Sequence, residues 1–227
     1  MRRYLPIALS LALIVALLAV APASAHRPYF EEEDILAARP WQINDPTIST
    51  VIYATLQSAG DVDYFAFDGR QGDRILLEIT IPQIEGQEDF APTMALLGPG
   101  LASAALPARV ERPADMSGLL LLAPPSGPAA TFFEPFSRTS YWERQSQRVT
   151  LPADGRYVVA VWHPTGEAGR YGFVIGDKER PGGDLSFMRK LRSYWTPVQL
   201  VSATPDAAPT DTPQDKRGNF WRLFGIR

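Results

Sequence analysis

Short segments in which apolar and polar residues alternate recur between residues 50 and 175, and Gly and Pro interrupt them. They lie at about 50–57, 62–67, 74–81, 93–97, 119–122, 148–151, 156–162 and 170–175. Alternation over four to eight residues is typical of strands with one buried face, whereas an amphipathic helix has a period of 3.6. The pattern therefore predicts an all-β protein, an antiparallel β-sandwich of jelly-roll type with about eight strands.

The same period assigns faces to single strands. In the segment 74–81, the side chains of Ile75, Leu77, Ile79 and Ile81 share one face, which we predict to be buried. In 62–67, Phe65 and Phe67 share their face with Asp63. A buried carboxylate without a partner costs several kcal/mol. We therefore expect Asp63 to accept hydrogen bonds from backbone amides of a neighbouring turn.

The last two strand segments, "GRYVVAVW" and "GRYGFVI", are separated by "HPTGEAG", which is rich in turn residues. Two strands joined by such a linker are typical of a β-hairpin. The alternation places Tyr157 and Tyr171 on matching faces of that hairpin.

Several of these residues form a recognisable signature, with Gly-Asp-x-Asp-x-Phe in one strand and Gly-x-Tyr at the start of the last two. The matching residues are Gly60, Asp61, Asp63, Phe65, Phe67, Gly155, Tyr157, Gly169 and Tyr171. Over residues 50–177 the chain thereby resembles the bacterial prepeptidase C-terminal domain, a secreted β-sandwich. The resemblance implies a non-catalytic module that binds matrix, carbohydrate or calcium, or assists maturation. Residues 101–147 form a longer insertion than that family usually carries.

The segments outside 50–177 have distinct compositions. Residues 1–25 have the parts of a secretory signal, with Arg2 and Arg3, an apolar stretch of about 16 residues and a final Ala-Ser-Ala, so we expect a mature chain that begins at His26. Residues 26–49 form a proline-rich N-terminal extension that contains the acidic run 31–34, and we expect it to pack on the sandwich through Trp41.

The C-terminal part divides into a helix and a tail. In 178–201 we predict a short amphipathic helix with Asp184 as its N-cap and with Leu185, Met188, Leu191 and Trp195 on its buried face. Residues 202–227 are predicted to be a disordered linker followed by a basic aromatic end, "KRGNFWRLFGIR". That end is suited to contact with a membrane surface or a partner.

The charge balance limits the classes of partner. The formal net charge is −3, and the signal contains only arginines among its charged residues, so the mature chain is more acidic still. Nucleic acid is therefore excluded as a partner. With 227 residues, 45% of them hydrophobic, the chain has room for one well-buried core, and we expect a monomeric or weakly associating, exported protein in the periplasm or outside the cell. No cysteine is present, which excludes disulfides and thiolate chemistry.

Two metals are candidates. A mature N-terminal His26 would offer its amino group and imidazole to copper, and His163 is the only other histidine available to complete such a site. Calcium prefers several oxygen ligands. Asp61 and Asp63 are its candidates on the strand 62–67, and Glu85, Glu88 and Asp89 lie in the following loop. Neither metal is favoured by a specific spacing.

The insertion supplies a third candidate site. Aromatic and charged residues that suit a glycan or peptide ligand are concentrated in "TFFEPFSRTSYWER". The candidate contact residues are Phe133, Glu134, Phe136, Arg138, Tyr141 and Trp142. The alternative is that these rings cover an open end of the sandwich.

No catalytic motif accompanies this architecture. The chain has no Gly-x-Ser-x-Gly elbow and no His-Glu-x-x-His helix, and two histidines are too few for a usual triad. A carboxylate-pair glycosidase has no such motif to test, but its sites occupy larger clefts than a single sandwich offers. The sequence thus favours an exported non-catalytic binding or accessory module for a glycan, a peptide, a protein or calcium. The alternatives are a copper protein that uses His26 and His163, and a membrane-surface or partner adaptor that uses the C-terminal tail.

Overall fold

The computed structural model describes residues 26–114, 116, 118–135 and 137–195, and the strands in this part form two packed sheets. The six-stranded sheet has the order β1 (Arg27–Phe30), β3 (Thr50–Leu56), β11 (Gly169–Ile175), β5 (Arg74–Pro82), β9 (Thr139–Thr150) and β8 (Ala130–Glu134). The five-stranded sheet has the order β2 (Trp41–Ile43), β4 (Val62–Gly69), β10 (Gly155–Trp162), β6 (Thr93–Leu97) and β7 (Leu119–Leu122). One helix, α1 (Phe187–Tyr194), follows the last strand. The predicted all-β sandwich is confirmed.

The described residues contain eleven strands rather than about eight. Three of them, β1, β2 and β8, are three to five residues long and lie at sheet edges, so they are too short to show an alternating pattern. Strand β9 begins at Thr139, nine residues before the predicted start. The sequence did not indicate its first part, because few of the side chains there are buried. The β1–β3 and β2–β4 pairs are parallel, so both sheets are mixed rather than wholly antiparallel.

The N-terminal segment 26–49 contributes one edge strand to each sheet. Strand β1 lies beside β3, and the chain then crosses to the other sheet, where β2 lies beside β4. Tyr29 and Trp41, from these two strands, have ring centroids 6.0 Å apart, and both rings pack against the core. The crossing segment, residues 31–40, therefore closes one side of the sandwich.

The core between the sheets is formed by the faces that the alternation predicted. Ile75, Leu77, Ile79 and Ile81 are at most 1% exposed, as are Phe65 and Phe173, whose rings stack 4.4 Å apart across the two sheets. The buried cluster also includes Ile52, Leu56, Phe67, Met94, Leu96, Tyr157, Val159, Val161, Tyr171 and Ile175. Asp63 shares this face and is fully buried.

The predicted hairpin between the last two strands is wrong. β10 pairs with β4 and β6 in the five-stranded sheet, whereas β11 pairs with β3 and β5 in the six-stranded sheet. The linker "HPTGEAG" thus crosses from one sheet to the other. Tyr157 and Tyr171 are both fully buried in the core, but they enter it from opposite sheets. A period of two fixes which residues face the core, but it does not fix which sheet a strand joins.

Additional layers cover the outer faces of both sheets. Val62, Tyr64 and Trp162 on the outer face of the five-stranded sheet form a second apolar cluster with Val110 and Met116 of the insertion. On the six-stranded sheet, helix α1 packs on Phe30, Tyr53, Tyr141 and Val174. The first part of the long insertion is therefore a structural cover.

The buried face of helix α1 matches the predicted one only in part, since Leu191 and Trp195 pack against the sheet as predicted but Leu185 and Met188 do not. Phe187, Leu191 and Tyr194 are buried, whereas Leu185 is fully exposed and Met188 is 52% exposed. The helix begins after Ser186, and Asp184 accepts hydrogen bonds from the backbone N–H and the hydroxyl of Ser186 instead of capping the helix. The aromatic surface of Phe30 and Tyr53 attracts Phe187 and Tyr194, and this selects the face.

No helix within residues 26–195 that the structure describes is long and apolar enough to cross a membrane. The predicted signal at 1–25 and the predicted tail at 202–227 lie outside the described residues.

Candidate functional site

Three carboxylates meet where the N-terminal segment crosses between the sheets. Glu31 directly follows β1, Asp34 lies in the crossing segment, and Asp63 is the second residue of β4. One oxygen from each lies within 4.8 Å of the others. A backbone hydrogen bond from Tyr64 N–H to the carbonyl of Ile35, 3.0 Å long, holds the crossing segment against β4. We call Glu31, Asp34 and Asp63 the carboxylate cluster.

The cluster has fewer hydrogen-bond donors than its oxygens require. The Tyr171 hydroxyl donates to Asp63 Oδ2 at 2.5 Å, and the backbone N–H of Thr55 donates to Glu31 Oε2 at 2.8 Å. Asp63 Oδ1 and Glu31 Oε1 are buried and have no partner among the described residues. Buried acceptors without partners are rare, and each raises the question of a missing ion or water.

The expected partner of Asp63 is thereby corrected, because a tyrosine hydroxyl and not a backbone amide donates to it. The role predicted for Asp63 belongs to Asp61, whose Oδ2 accepts the backbone N–H of Gln57 at 2.6 Å. Asp61 lies in the turn before β4, where free amides are available, whereas Asp63 points into the core between strands whose amides are already paired.

Burial and the repulsion of neighbouring charges raise the pKa values of Glu31 and Asp63. Burial raises the pKa of Glu31 to about 7, and the charges of Asp61 and Asp34 contribute to the rise. Burial also raises the pKa of Asp63 well above its usual range, with the charge of Glu31 as the next cause. Both shifts mean that the negatively charged forms of these two carboxyl groups are disfavoured unless a compensating positive charge is present.

A surface groove of about 1050 Å³ lies beside the cluster and is lined by one of its members, Asp34. Asp61, Tyr64 from the five-stranded sheet, and Arg109 and Glu111 from the insertion also line the groove. Arg109 donates to the carbonyl oxygen of His163 at 2.7 Å, and the backbone N–H of Glu111 donates to the Tyr64 hydroxyl at 2.7 Å. The walls of the groove are therefore held by the core strands and the loop after β10.

Substitution of Tyr171 tests this arrangement. Tyr171→Phe should lower the free energy of unfolding by about 1 to 3 kcal/mol, because it leaves a second oxygen of the buried Asp63 without a donor. Urea denaturation in buffer treated with EDTA measures the change. Tyr29→Phe, whose ring is only partly buried, is the control and should change the value by less than about 0.5 kcal/mol. An unaltered stability of Tyr171→Phe contradicts the described hydrogen bond.

The two histidines predicted as a copper pair are not brought together. His26 contacts the Ser49 hydroxyl just before β3 begins. His163 stacks on Phe90 at 5.1 Å, and Phe90 lies against Gly169, which pairs with Leu56 at the far end of β3. A strand of seven residues separates the two sites by roughly 20 Å. His163 is also held in its loop, because its Nδ1 accepts the backbone N–H of Glu167 at 3.1 Å.

The aromatic residues of the insertion do not form one surface. Tyr141 is buried under helix α1, its ring stacked on Phe132 at 5.3 Å, while Trp142 packs against the core on the opposite face of β9. Phe133 is 58% exposed on β8. Glu134 accepts the backbone N–H of Ser137, Arg138 follows in a turn with φ of 54°, and Phe136 lies outside the described residues. Neighbouring residues of a strand face opposite sides, and this divides the predicted set.

Of the predicted calcium ligands, Asp63 belongs to the carboxylate cluster, and Asp61 adjoins it. Glu31 and Asp34 were missed as members, although the acidic run 31–34 is visible in the sequence. That run precedes Asp63 by about 30 residues, and only the parallel docking of the N-terminal segment brings the two together.

No protein-family model matches the chain, and no curated protein matches it in sequence. Among solved structures, a periplasmic inhibitor of g-type lysozyme from Aeromonas hydrophila is 12% identical, with a TM-score of 0.35 over 67% of this chain and 98% of the inhibitor. The pre-peptidase C-terminal domain of a Bacillus anthracis collagenase is 10% identical, with a TM-score of 0.34 over 64% of this chain and 98% of that domain.

CorA, a surface-associated copper-binding protein of Methylomicrobium album, is 9% identical, with a TM-score of 0.30 over 68% of this chain and 99% of CorA. The pre-peptidase C-terminal domain that the sequence resembles is thus among the solved structures similar to this chain.

Proposed function

We propose that this protein is an extracytoplasmic, non-catalytic binding module that holds a calcium ion at Glu31, Asp34 and Asp63. The two unpartnered buried oxygens, Asp63 Oδ1 and Glu31 Oε1, carry this proposal. Both belong to a cluster in which one oxygen from each carboxylate lies within 4.8 Å of the others. A cation between them would supply the compensating charge that the described donors do not.

The chemistry of the donors favours calcium over other metals. The cluster offers carboxylate oxygens alone, with no imidazole in its donor set, and this disfavours zinc and copper. Calcium accepts six to eight oxygens in flexible geometry, including waters and backbone carbonyls. The groove beside Asp34 gives water access to the remaining positions, whereas magnesium would require a stricter octahedral arrangement.

The position of the ion suggests what it does for the module. Glu31 and Asp34 belong to the N-terminal segment, and Asp63 belongs to the five-stranded sheet. An ion shared by them would attach that segment to the sandwich and fix one wall of the groove. We infer a structural role, in which calcium outside the cytoplasm orders the binding surface formed by the groove. The predicted secretory signal supports that location.

Calcium binding is directly testable with the purified mature chain after EDTA treatment and dialysis. Calorimetric titration with CaCl₂ should show one ion per chain. At a calcium concentration of about 100 times Kd, the ion should stabilise the fold by about 2.7 kcal/mol. For a chain of this size, such a gain raises the Tm by roughly 5 to 10 °C.

Two asparagine substitutions on β4 separate the site from general charge effects. Asp63→Asn keeps an acceptor for the Tyr171 hydroxyl but removes the charge, so it should fold and lose the calcium-dependent rise in Tm. Asp68→Asn, at an exposed position of the same strand, should retain the full rise. Absence of calcium binding by the wild-type chain would falsify the proposal, as would an unchanged calcium response in Asp63→Asn. Copper binding that is lost in His26→Ala would favour the alternative metal.

A further inference from the structure

The two sheets expose their edges unequally. On the outer side of β1, Asp184 N–H donates to the carbonyl of Pro28 at 2.7 Å, and the proline itself has no N–H to offer. Strand β2 has only three residues and follows Pro40. On the outer side of β7, Leu119 N–H donates to the carbonyl of Ala102 at 2.8 Å. These are the usual protections of a sheet edge.

Strand β8 has none of these protections within the part of the chain that the structure describes. It pairs with β9 on one side, and no described strand lies on its other side. Four of its five residues are exposed, and the strand contains no proline, no lysine and no bulge. Phe132 and Phe133 are 37% and 58% exposed. An open edge with exposed aromatic side chains is a template for another strand.

We propose that β8 pairs antiparallel with β8 of a second copy of this chain, so that the two six-stranded sheets become continuous. The two-fold axis passes perpendicular to the sheet at Phe132. In an antiparallel pair, residues that face each other must have their side chains on the same face of the sheet. This condition is met only if the axis passes through a residue, because an axis between two residues would pair residues whose side chains lie on opposite faces. Of the permitted registers, the one centred on Phe132 pairs all five residues of β8.

This register makes β8 complementary to itself. Phe132 faces Phe132 of the second copy, beside the ring of Tyr141 at 5.3 Å, and Phe133 faces Thr131. Glu134, the one charged residue of the strand, faces Ala130 and not another carboxylate. Aromatic cross-strand pairs stabilise antiparallel pairing, whereas like charges directly opposite weaken it. Nothing in the register therefore opposes the association.

The size of the contact predicts a weak dimer. Five residue pairs bury less than the roughly 1,200 Å² of total surface typical of stable complexes. We therefore expect association at chain concentrations of tens to hundreds of micromolar and mainly monomer below about 1 μM. This inference uses residues outside the carboxylate cluster, so a test of the dimer does not affect the proposed calcium function, and a test of calcium binding does not affect the dimer.

Sedimentation equilibrium of the full mature chain, from about 1 to 500 μM, tests the proposal. The wild-type chain should show a reversible monomer–dimer equilibrium. Phe132→Lys should raise the dimer Kd at least tenfold, because it places two positive charges directly opposite at the axis. Leu121→Lys, at a site 53% exposed on β7, is the matched control and should dimerise like the wild type. Circular dichroism checks that both variants fold.

A second pair of variants tests the register independently of the aromatic stack. Both variants are made in a Glu143→Gln background, because Glu143 of β9 pairs with Ala130 within the same chain. In that background, Ala130→Glu places a carboxylate opposite Glu134 of the second copy and should weaken the dimer, whereas Ala130→Lys should not weaken it. A wild-type chain that stays monomeric up to 500 μM overturns the proposal. A dimer that is equally stable in Phe132→Lys also overturns it, and equal Kd values for the two Ala130 variants overturn the register.

Discussion

Phe65→Ala should lower the free energy of unfolding by about 3 to 5 kcal/mol. Phe65 is fully buried on β4, and its ring stacks on Phe173 of the opposite sheet at a centroid distance of 4.4 Å. The substitution removes the transfer free energy of the ring and leaves a cavity in the layer that joins the sheets. A loss of this size is a large fraction of the stability of an ordinary domain.

Urea denaturation followed by circular dichroism measures that loss, and Phe133→Ala is its control. The control makes the same chemical change at a ring that is 58% exposed, so the free energy of unfolding should change by about 0.5 kcal/mol or less. If the two substitutions had equal effects, the face assigned to β4 would be wrong. The comparison thus tests the alternation argument and the packing together.

Trp162→Ala should have an effect of similar size, about 3 to 5 kcal/mol, although Trp162 faces away from the central core. Trp162 is 2% exposed on the outer face of the five-stranded sheet, where it packs with Val110 and Met116 of the insertion. If the insertion were a loosely attached loop, the tryptophan would be near solvent and its removal would cost little. A large loss of stability is therefore expected only if the insertion covers the sheet.

The far-ultraviolet circular dichroism signal suits this measurement, because the substitution removes a fluorescent reporter. Trp162→Phe, which retains much of the apolar surface, should cost less than Trp162→Ala. In the alanine variant, cleavage by trypsin after Arg109 should also accelerate, since the insertion loses part of its support. Unchanged stability and unchanged cleavage would show that the second apolar cluster does not hold the insertion.

The central strands were predictable because each has an alternating pattern of apolar and polar residues within its own sequence. The alternation in β5 places Ile75, Leu77 and Ile79 on one face whatever the neighbouring strands are, and burial follows from hydrophobicity. The edge strands β1, β2 and β8 lack this information, since a short strand with one neighbour has little apolar surface to bury. Their positions depend on what the rest of the chain leaves open.

Asp63 of the candidate site could be predicted from the sequence, whereas its partners could not. Asp63 stands out because a carboxylate shares a face with Phe65 and Phe67, so the sequence alone raises the question of its partner. Its partners come from distant parts of the chain: Tyr171 lies 108 residues away, and Glu31 reaches the site through the parallel pairing of β1 with β3. The prediction that His26 and His163 form one copper site was wrong for a related reason. Their distance depends on the tertiary structure, and no local pattern shows at which end of a strand each residue lies.

The sequence by itself determined the class of the fold, the faces of the central strands and the burial of Asp63, because hydrophobic periodicity acts within a few residues. Tertiary structure alone decided which sheet each strand joins, that β10 and β11 do not form a hairpin, and that Glu31 and Asp34 meet Asp63. These outcomes depend on contacts between segments far apart in the chain. Such contacts are selected by the packing of the whole core and by the hydrogen-bonding edges that remain free, and no local pattern encodes either.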